Sequence, residues 1–248
     1  MGTPSSRTGM YLGQLVYIRS HEYSRWKRMV TMRAVIFANG IMKTWPKAFE
    51  PCFEKDLLIA ADGGFKHCRR WNLKPHIIVG DMDSVGVPDP SVLEDETTRI
   101  HRFPTQKDET DLHLAIRAAV DRLADEIIIL GALGARWDMT FSNVLILTTP
   151  LLDGVDARIL DGPHEFLCLH GPQKVHLLGE VGHLISAIPL AGSVSGVTLA
   201  GTTYGLHRET LPMGTTRGIS NCFEENMVEI EIESGHLLVV VSREGHIP

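Results

Sequence analysis

Acidic residues stand directly after two apolar runs that have the composition of buried strands. Asp62 follows the run 57–61, and Asp81 and Asp83 follow the run 77–79. Residues two apart on an extended segment point to the same side, so both carboxylates of the second pair can reach one hard cation. Ligands of an open parallel sheet bind outside the carboxyl ends of its strands. The pattern predicts a Mg²⁺ site for a phosphorylated substrate; the alternative is that Asp83 starts a turn or caps a helix.

A second acidic segment opens a helical pattern near residue 111. Asp108 and Asp111 have the spacing of a capping box, in which the first residue is the N-cap and the second lies in the first turn. A helix N-terminus is also a binding site for phosphate groups. Lys107 supplies the positive charge that an anionic ligand needs. The structural and the functional interpretations are compatible.

Glycines and an arginine follow the apolar run 126–130. Gly131 and Gly134 allow the main chain to approach a ligand closely, and Arg136 can clamp phosphate oxygens with two hydrogen bonds. Three other interpretations stay open: a dinucleotide-binding loop, plain packing, or an ion pair between Arg136 and Asp138. The glycine spacing departs from Gly-x-Gly-x-x-Gly, which argues against a nicotinamide site.

Short apolar runs alternate with helical stretches from residue 33 to about residue 160, and this alternation predicts the sheet that positions these side chains. Strands are expected over 34–38, 57–61, 77–79, 99–103 and 126–130, and helices over 64–71, 112–123 and 137–147. Unbroken apolar strands separated by helices indicate an α/β fold with a mostly parallel, Rossmann-like sheet and flanking helices.

The pattern changes after about residue 162 to short alternating runs that glycines separate. Strands are expected over 165–169, 174–178, 183–189 and 194–199. Residues 227–233 alternate between apolar and acidic side chains, and Ser234-Gly235 then predicts a hairpin into 236–241. This part is expected to be a small antiparallel β-sandwich.

Three segments follow from these patterns: a basic tail over 1–30 that we expect to be disordered, an α/β domain over 31–160 and a β-sandwich domain over 161–248. A weak targeting segment, or an extension upstream of a later start, is the alternative for the tail. The net charge of −6 argues against a nonspecific nucleic-acid binder, and no apolar stretch approaches the 18 residues of a membrane span. We therefore expect a cytoplasmic protein without nucleic-acid or membrane partners.

Five short segments, in this order, resemble the thiamine pyrophosphokinase (thiamin diphosphokinase) family. They are residues 61–64, 80–84, 106–111, 131–138 and 218–221, within a resemblance that runs from about Met32 to Arg243. The resemblance implies ATP as co-substrate, Mg²⁺ as cofactor and thiamine as acceptor, with thiamine diphosphate and AMP as products. It also implies a homodimer whose active sites lie at the subunit interface, with ATP and Mg²⁺ on the α/β domain and thiamine on the sandwich.

The resemblance assigns roles to individual residues. It implies a metal site at Asp81, Asp83 and Asp111, and it adds Arg136 and Asp138 to these three as the catalytic set. The nucleotide- and substrate-binding set that it implies is Asp62, Gly63, Gln106, Lys107, Asp108, Thr110, Gly131, Arg136, Ser220 and Asn221. This chain has Gly134-Ala135-Arg136 where the family often has Gly-Gly-Arg. Tyr204 stands where members vary between Trp and Tyr, which leaves its stacking on thiamine open.

Two rival functions use the same residues. A metal-dependent phosphohydrolase would employ these acids with water as the nucleophile, and a noncatalytic nucleotide sensor would use the sandwich to bind a partner protein. Formation of AMP from ATP that depends on thiamine separates the kinase from both. A Rossmann oxidoreductase is a more distant alternative because its glycine fingerprint is missing.

Overall fold

Six parallel strands form one part of a ten-stranded mixed sheet in the computed structural model, which describes residues 32–46, 49, 51–81, 98–102 and 108–244. The strands are β1 (Arg33–Phe37), β2 (Leu57–Ala61), β3 (Ile77–Gly80), β4 (Arg99–Arg102), β5 (Glu126–Leu130) and β6 (Asp156–Asp161). Their spatial order is β6-β5-β1-β2-β3-β4, and each pairs with its neighbour in parallel. The predicted α/β class is confirmed in its coarse form, a mixed sheet with few helices.

The direction of the strand order reverses at β1. The chain steps outward from β1 to β4 and then returns to place β5 on the other side of β1. Main-chain hydrogen bonds continue beyond the ends of β1 and β5. The amide of Gly40 donates to the carbonyl of Gly131 at 2.6 Å, and the amide of Ile41 donates to the carbonyl of Leu133 at 2.8 Å. Such a reversal leaves a crevice at the carboxyl edge of the sheet, where ligands bind.

Three α-helices cover the described parallel strands: α1 (Phe65–Arg70), α2 (Asp111–Val120) and α3 (Trp137–Leu145). Ile36 of β1 packs with α2, whereas Val35 and Phe37 pack with α1 on the opposite face, so the apolar strand is buried on both sides. α2 ends at Val120, and Leu123, expected on its apolar stripe, is exposed beyond the helix.

Eight further strands are antiparallel. They are β7 (His164–His170), β8 (Gln173–Leu178), β9 (Leu184–Pro189), β10 (Val194–Ala200), β11 (Leu206–Leu211), β12 (Asn221–Cys222), β13 (Met227–Ile232) and β14 (His236–Ser242). β7, β14, β9 and β12 extend the ten-stranded sheet beyond β6, and β8, β13, β10 and β11 form a second sheet. The apolar faces of both layers meet in one separate core.

The predicted hairpin at Ser234-Gly235 is wrong. β13 pairs with β8 and β10 in the second sheet, whereas β14 pairs with β7 and β9 in the ten-stranded sheet. β13 buries only its apolar face in the shared core, whereas β14 packs Leu237, Val239 and Val241 into that core and Leu238 on its other face into the core of the parallel part. The chain therefore crosses from one layer to the other at this turn. Alternation fixes which face of a strand is buried but not which strand is its partner.

β6 was not predicted as a strand, and it pairs with β5 on one side and β7 on the other. Main-chain hydrogen bonding therefore continues across the expected border at residues 160/161, and the division into two domains stays a prediction. No helix within the described ranges is long and apolar enough to cross a bilayer.

Candidate active site

A cleft of about 350 Å³ opens at the carboxyl ends of β1, β2 and β5, where the strand order reverses. Side chains and main chain from four segments line it. They are Ala38, Asn39, Gly40, Ala61, Asp62, Thr110, Asp111, Leu112, Ala132, Gly134, Ala135, Arg136, Met139 and Asn143. Two carboxylates and a guanidinium thus share one cavity, the combination that a cation and an anionic ligand require together.

Asp62 is the buried acid of the cleft, with 8% of its surface exposed. It has a φ of 45°, and it lies so close to Gly80 that a Cβ there would stand 3.1 Å from the Asp62 Cα. Its Oδ2 accepts a hydrogen bond from Asn39 Nδ2 at 3.4 Å, while its Oδ1 is buried without a hydrogen-bond partner in the part of the chain that the structure describes. A buried carboxylate oxygen of this kind at a cleft is suited to bind a metal ion or to accept a hydrogen bond from a ligand.

Asp111 reaches the cleft as the first residue of α2. The N-cap is Thr110, whose Oγ1 accepts from the His113 amide at 3.3 Å. The expectation that Asp108 caps this helix is therefore wrong; Asp108 is exposed and is not among the cleft-lining residues. A carboxylate in the first turn lies at the positive end of the helix dipole, a position that is electrostatically favourable for an acidic side chain.

Arg136 and Asp138 form a two-armed ion pair at the mouth of the cleft. Arg136 Nε donates to Asp138 Oδ1 at 3.1 Å and Nη2 to Oδ2 at 2.5 Å. The hydrogen bond from Arg136 lowers the pKa of the Asp138 carboxyl, and the same bond raises the pKa of Arg136. The ion-pair interpretation of this segment is confirmed, and Arg136 lines the cleft at the same time.

The expected metal set is only partly described. Asp81 follows β3 and is half-buried, Asp111 lines the cleft, and Asp83, like Gln106 and Lys107, lies outside the described residues. Among the described residues no three histidine, cysteine or acidic side chains are grouped to hold a metal ion. The carboxylates of Asp62 and Asp111 are the hard oxygen donors that suit Mg²⁺, so the residues present fit this ion.

Ser220 and Asn221 lie far from the cleft. Asn221 belongs to β12, which stands six strand positions from β1, a separation of about 30 Å at ordinary strand spacing. Its amide is committed internally: Nδ2 donates to the Tyr204 carbonyl at 2.8 Å and Oδ1 accepts from the Tyr204 amide at 2.9 Å. Tyr204 itself is exposed. The predicted thiamine-side residues therefore form a separate surface within one chain.

The sequence analysis missed two asparagines of the cleft. Asn39 follows β1 as Asp62 follows β2, so its position after a buried strand was an available signal. Asn143 is buried on α3 and donates to the Ala132 carbonyl at 2.7 Å, which holds the loop after β5. No local sequence pattern marks Asn143. Gly63 and Gly131 border the cleft segments without lining it.

An α/β sheet with a cleft at the carboxyl edge of its strands, lined by two carboxylates and an arginine, is typical of proteins that bind a nucleotide or another phosphorylated ligand. Models of two thiamin pyrophosphokinase domains match this chain: the catalytic domain over residues 52–159 and the vitamin B1 binding domain over residues 172–237. The two matches follow each other in the order of the parallel and the antiparallel strands, and together they cover more than half of the chain.

Individual relatives agree with the domain models. A thiamine pyrophosphokinase of Bacillus subtilis is 26% identical over 189 residues, which are 76% of this chain and 88% of the relative. A thiamin pyrophosphokinase family protein of Enterococcus faecalis has a similar structure, with a TM-score of 0.75 at 25% identity over 87% of this chain and 100% of that one. The B. subtilis structure has a TM-score of 0.75 at 23% identity, over 86% and 100% of the two chains, and shows the fold.

The chain belongs to the thiamine pyrophosphokinase family. The predicted enzyme class, thiamine diphosphokinase, is confirmed.

Proposed function

We propose that ATP binds in the cleft between the ends of β1 and β5 and presents its β-phosphorus to the hydroxyl group of thiamine. The diphosphoryl group moves to that hydroxyl, AMP leaves, and thiamine diphosphate is the product. The observation that carries the proposal is that Asp62, Asp111 and Arg136 line one cavity at the switch point of an α/β sheet.

Asp81, Asp83 and Asp111 would hold Mg²⁺ in this proposal, with Asp62 beside them. The ion, when bound, neutralises charge on the polyphosphate and orients it. The protein's own cations, Arg136 and Lys107, balance the remaining negative charge. Gln106, Asp108 and Thr110 belong to the nucleotide side of the site.

Arg136 and Asp138 act as a unit at the mouth of the cleft. Phosphoryl transfer needs little covalent chemistry from the protein, so alignment and charge stabilisation supply most of the acceleration. A guanidinium has five N–H donors, so Arg136 can bind phosphate oxygens in addition to the two bonds that hold Asp138. Asp138, kept ionised by Arg136, orients the thiamine hydroxyl or accepts its proton.

A homodimer with shared active sites accounts for the separation of the two halves of the site. Ser220 and Asn221, the proposed thiamine-side residues, cannot reach the cleft of their own chain, but a second copy can supply them. The helix beside the cleft supports this assembly, because Trp137, Phe141 and Leu145 are exposed one turn apart along α3. An exposed apolar stripe of this kind is typical of a covered interface.

The domain roles follow the same division. Residues 31–160 form the Rossmann-like ATP and Mg²⁺ domain in this proposal, and residues 161–248 form the thiamine-binding sandwich. The limits of the two family matches support the division. A cytoplasmic location stays a prediction.

Mass spectrometry of the products tests the proposed function. The protein is incubated with Mg²⁺ and ATP, with and without thiamine. We expect AMP and thiamine diphosphate in equal amounts, and neither without thiamine. Release of ADP or inorganic phosphate regardless of thiamine would identify a phosphohydrolase, and calorimetric ATP binding without turnover would identify a sensor.

A further inference from the structure

Three side chains of α1 donate hydrogen bonds to the loop that follows β1. Lys66 Nζ bonds the carbonyl of Asn39 at 2.9 Å, and His67 Nε2 lies 3.1 Å from the carbonyl of Gly40. Arg70 bonds two carbonyls farther along the same loop, each at 2.9 Å. These donors together hold the loop. Asn39 and Gly40 at its start line the cleft, whereas Met42 and Lys43 are not among the lining residues.

Lys66 differs from the other two donors because it also contacts a side chain of the cleft. Its Nζ lies 2.8 Å from Asn39 Oδ1. An ammonium group can only donate, so the oxygen of the amide must face Lys66 and the nitrogen must face away from it. That nitrogen donates to Asp62 Oδ2 at 3.4 Å. The charge on Lys66 therefore sets which end of the amide Asp62 meets.

The packing around Asn39 leaves its amide little freedom. It lies against Gly63, where an added Cβ would come within 2.2 Å of Asn39 Oδ1. Two groups fix the orientation of the amide: Lys66 donates to Oδ1, and the Asp62 carboxylate accepts from Nδ2. Without Lys66, only the long 3.4 Å hydrogen bond to Asp62 holds the amide. The amide can then rotate away and leave Asp62 Oδ2 without its donor, so that the carboxylate changes its orientation.

We propose that Lys66 and Asn39 are positioning residues for Asp62. Lys66 orients the Asn39 amide, and the amide holds Asp62 Oδ2 so that Oδ1 remains available to the ligand of the cleft. The inference rests on the proposed function in that this ligand is ATP with its divalent cation. It goes beyond that function by giving two residues of this chain a role in nucleotide affinity.

Binding of a nonhydrolysable ATP analogue with Mg²⁺, measured by calorimetry on the full chain, tests the proposal. We expect Lys66→Met to weaken binding about tenfold, as removal of a partner behind a ligand-binding side chain commonly does. Lys66→Arg keeps the donors and should stay within about threefold of the wild type. In turnover assays, Lys66→Met should raise the KM for ATP and leave the KM for thiamine unchanged.

Arg70→Met is the matched control. It removes a comparable clamp from the same helix and loop, but the hydrogen bonds of Arg70 go to the carbonyls of Met42 and Lys43, which are not among the cleft-lining residues. We expect it to lower the thermal unfolding midpoint while analogue affinity stays that of the wild type. The proposal is overturned if Lys66→Met binds like the wild type, or if Arg70→Met weakens binding as much as Lys66→Met.

A double-mutant comparison tests whether Lys66 acts through Asn39. If it does, Lys66→Met should add nothing to Asn39→Ala, and the double variant should bind as weakly as Asn39→Ala alone. If the losses of affinity caused by Lys66→Met and Asn39→Ala multiplied in the double variant, Lys66 would not act through Asn39. Should Asn39→Ala fail to fold, the Lys66→Met and Lys66→Arg pair decides the matter. A wild-type protein that does not bind the analogue would instead refute the proposed function, whereas wild-type binding with an unaffected Lys66→Met refutes this inference alone.

Discussion

Arg136 and Asp138 are both exposed, so we expect their ion pair to contribute little to the stability of the fold. Surface pairs contribute little to folding because water screens them. We expect Asp138→Asn to leave the urea midpoint of unfolding unchanged and to lower thiamine diphosphate formation about 100-fold, the scale of losing one positioned catalytic group. Denaturation and initial-rate assays on the same preparation measure both.

A matched variant checks the specificity of that effect. Glu209→Gln breaks another surface pair, in which Arg217 Nη2 lies 2.7 Å from Glu209 Oε1 on the antiparallel part. It should alter neither stability nor turnover. Normal turnover in Asp138→Asn would remove Asp138 from the reaction.

His67 gives the protein a pH dependence of stability at the residue scale. Burial lowers the pKa of His67 below its ordinary value of about 6.5, and the ring donates to the Gly40 carbonyl in its neutral form. As the pH falls below about 6.5, the unfolded chain takes up a proton at this residue before the folded one does, so folding stability decreases. Above that pH the penalty is absent.

His67→Gln should remove this contribution, since the glutamine amide can still donate to Gly40 but does not titrate. We expect the free energy of unfolding from urea titrations to fall less steeply between pH 7 and pH 5 in the variant than in the wild type. His236, whose pKa burial also lowers, is present in both proteins and cancels in the comparison. Parallel curves would show that His67 does not contribute.

A residue of the site could be predicted only where a local sequence pattern marks it. Asp62, Asp111 and Arg136 could be predicted because each stands directly after a buried strand or at the start of a helix. Lys66 could not, because its role arises from contact with Asn39, 27 positions away. Such a contact exists only when α1 packs beside β1, and no local pattern encodes it.

At the scale of elements, Glu165 connects two strands and the segment that follows a third. It is 1% exposed on β7, and its oxygens accept from Arg158 on β6 and from Arg243 beyond β14, each at 3.0 Å. Burial of a carboxylate is costly unless cations and hydrogen bonds compensate it, and here both oxygens are bonded. Glu165 therefore stabilises the boundary between the parallel and the antiparallel strands of the sheet.

Glu165→Gln should destabilise the protein by about 3 kcal/mol, because the buried Arg158 loses part of its compensating charge. Urea unfolding at neutral pH measures the loss. Glu233→Gln, which breaks the exposed pair between Arg208 and Glu233, should change stability little. Equal effects of the two substitutions would contradict a special role for the buried pair.

The elements themselves were predictable where burial is complete. β1, β2, β3 and β5 read as unbroken apolar runs, since both faces of the parallel sheet are covered. β6 escaped prediction because Arg158 and Asp156 interrupt its apolar pattern, and they are tolerated there because they bond each other. Strand pairing in the antiparallel part was not predictable, because neither the alternation of β13 nor the apolar run of β14 specifies a partner strand, and the two strands lie in different sheets.

At the scale of the whole molecule, the distance between the cleft and Ser220 makes a specific prediction about two chains. In a dimer with shared sites, the cleft of one copy works with the sandwich of the other. A heterodimer of Asp111→Asn with Ser220→Arg then keeps one intact site, formed by the cleft of the second chain and the sandwich of the first. Co-expression with two affinity tags isolates it, and it should show about half of the wild-type turnover although each homodimer is inactive.

The reciprocal arrangement distinguishes shared sites from sites within one chain. When both substitutions are in the same chain and its partner is wild type, shared sites leave every site with one damaged half, and turnover should vanish. If each site belonged to one chain, this second heterodimer would retain about half of the activity and the first would have none. The two designs carry the same substitutions in the same number, so differences in folding or expression cannot produce the reversal. The heterodimer that turns over thiamine therefore shows whether Ser220 completes the cleft of its own chain or the cleft of the partner chain.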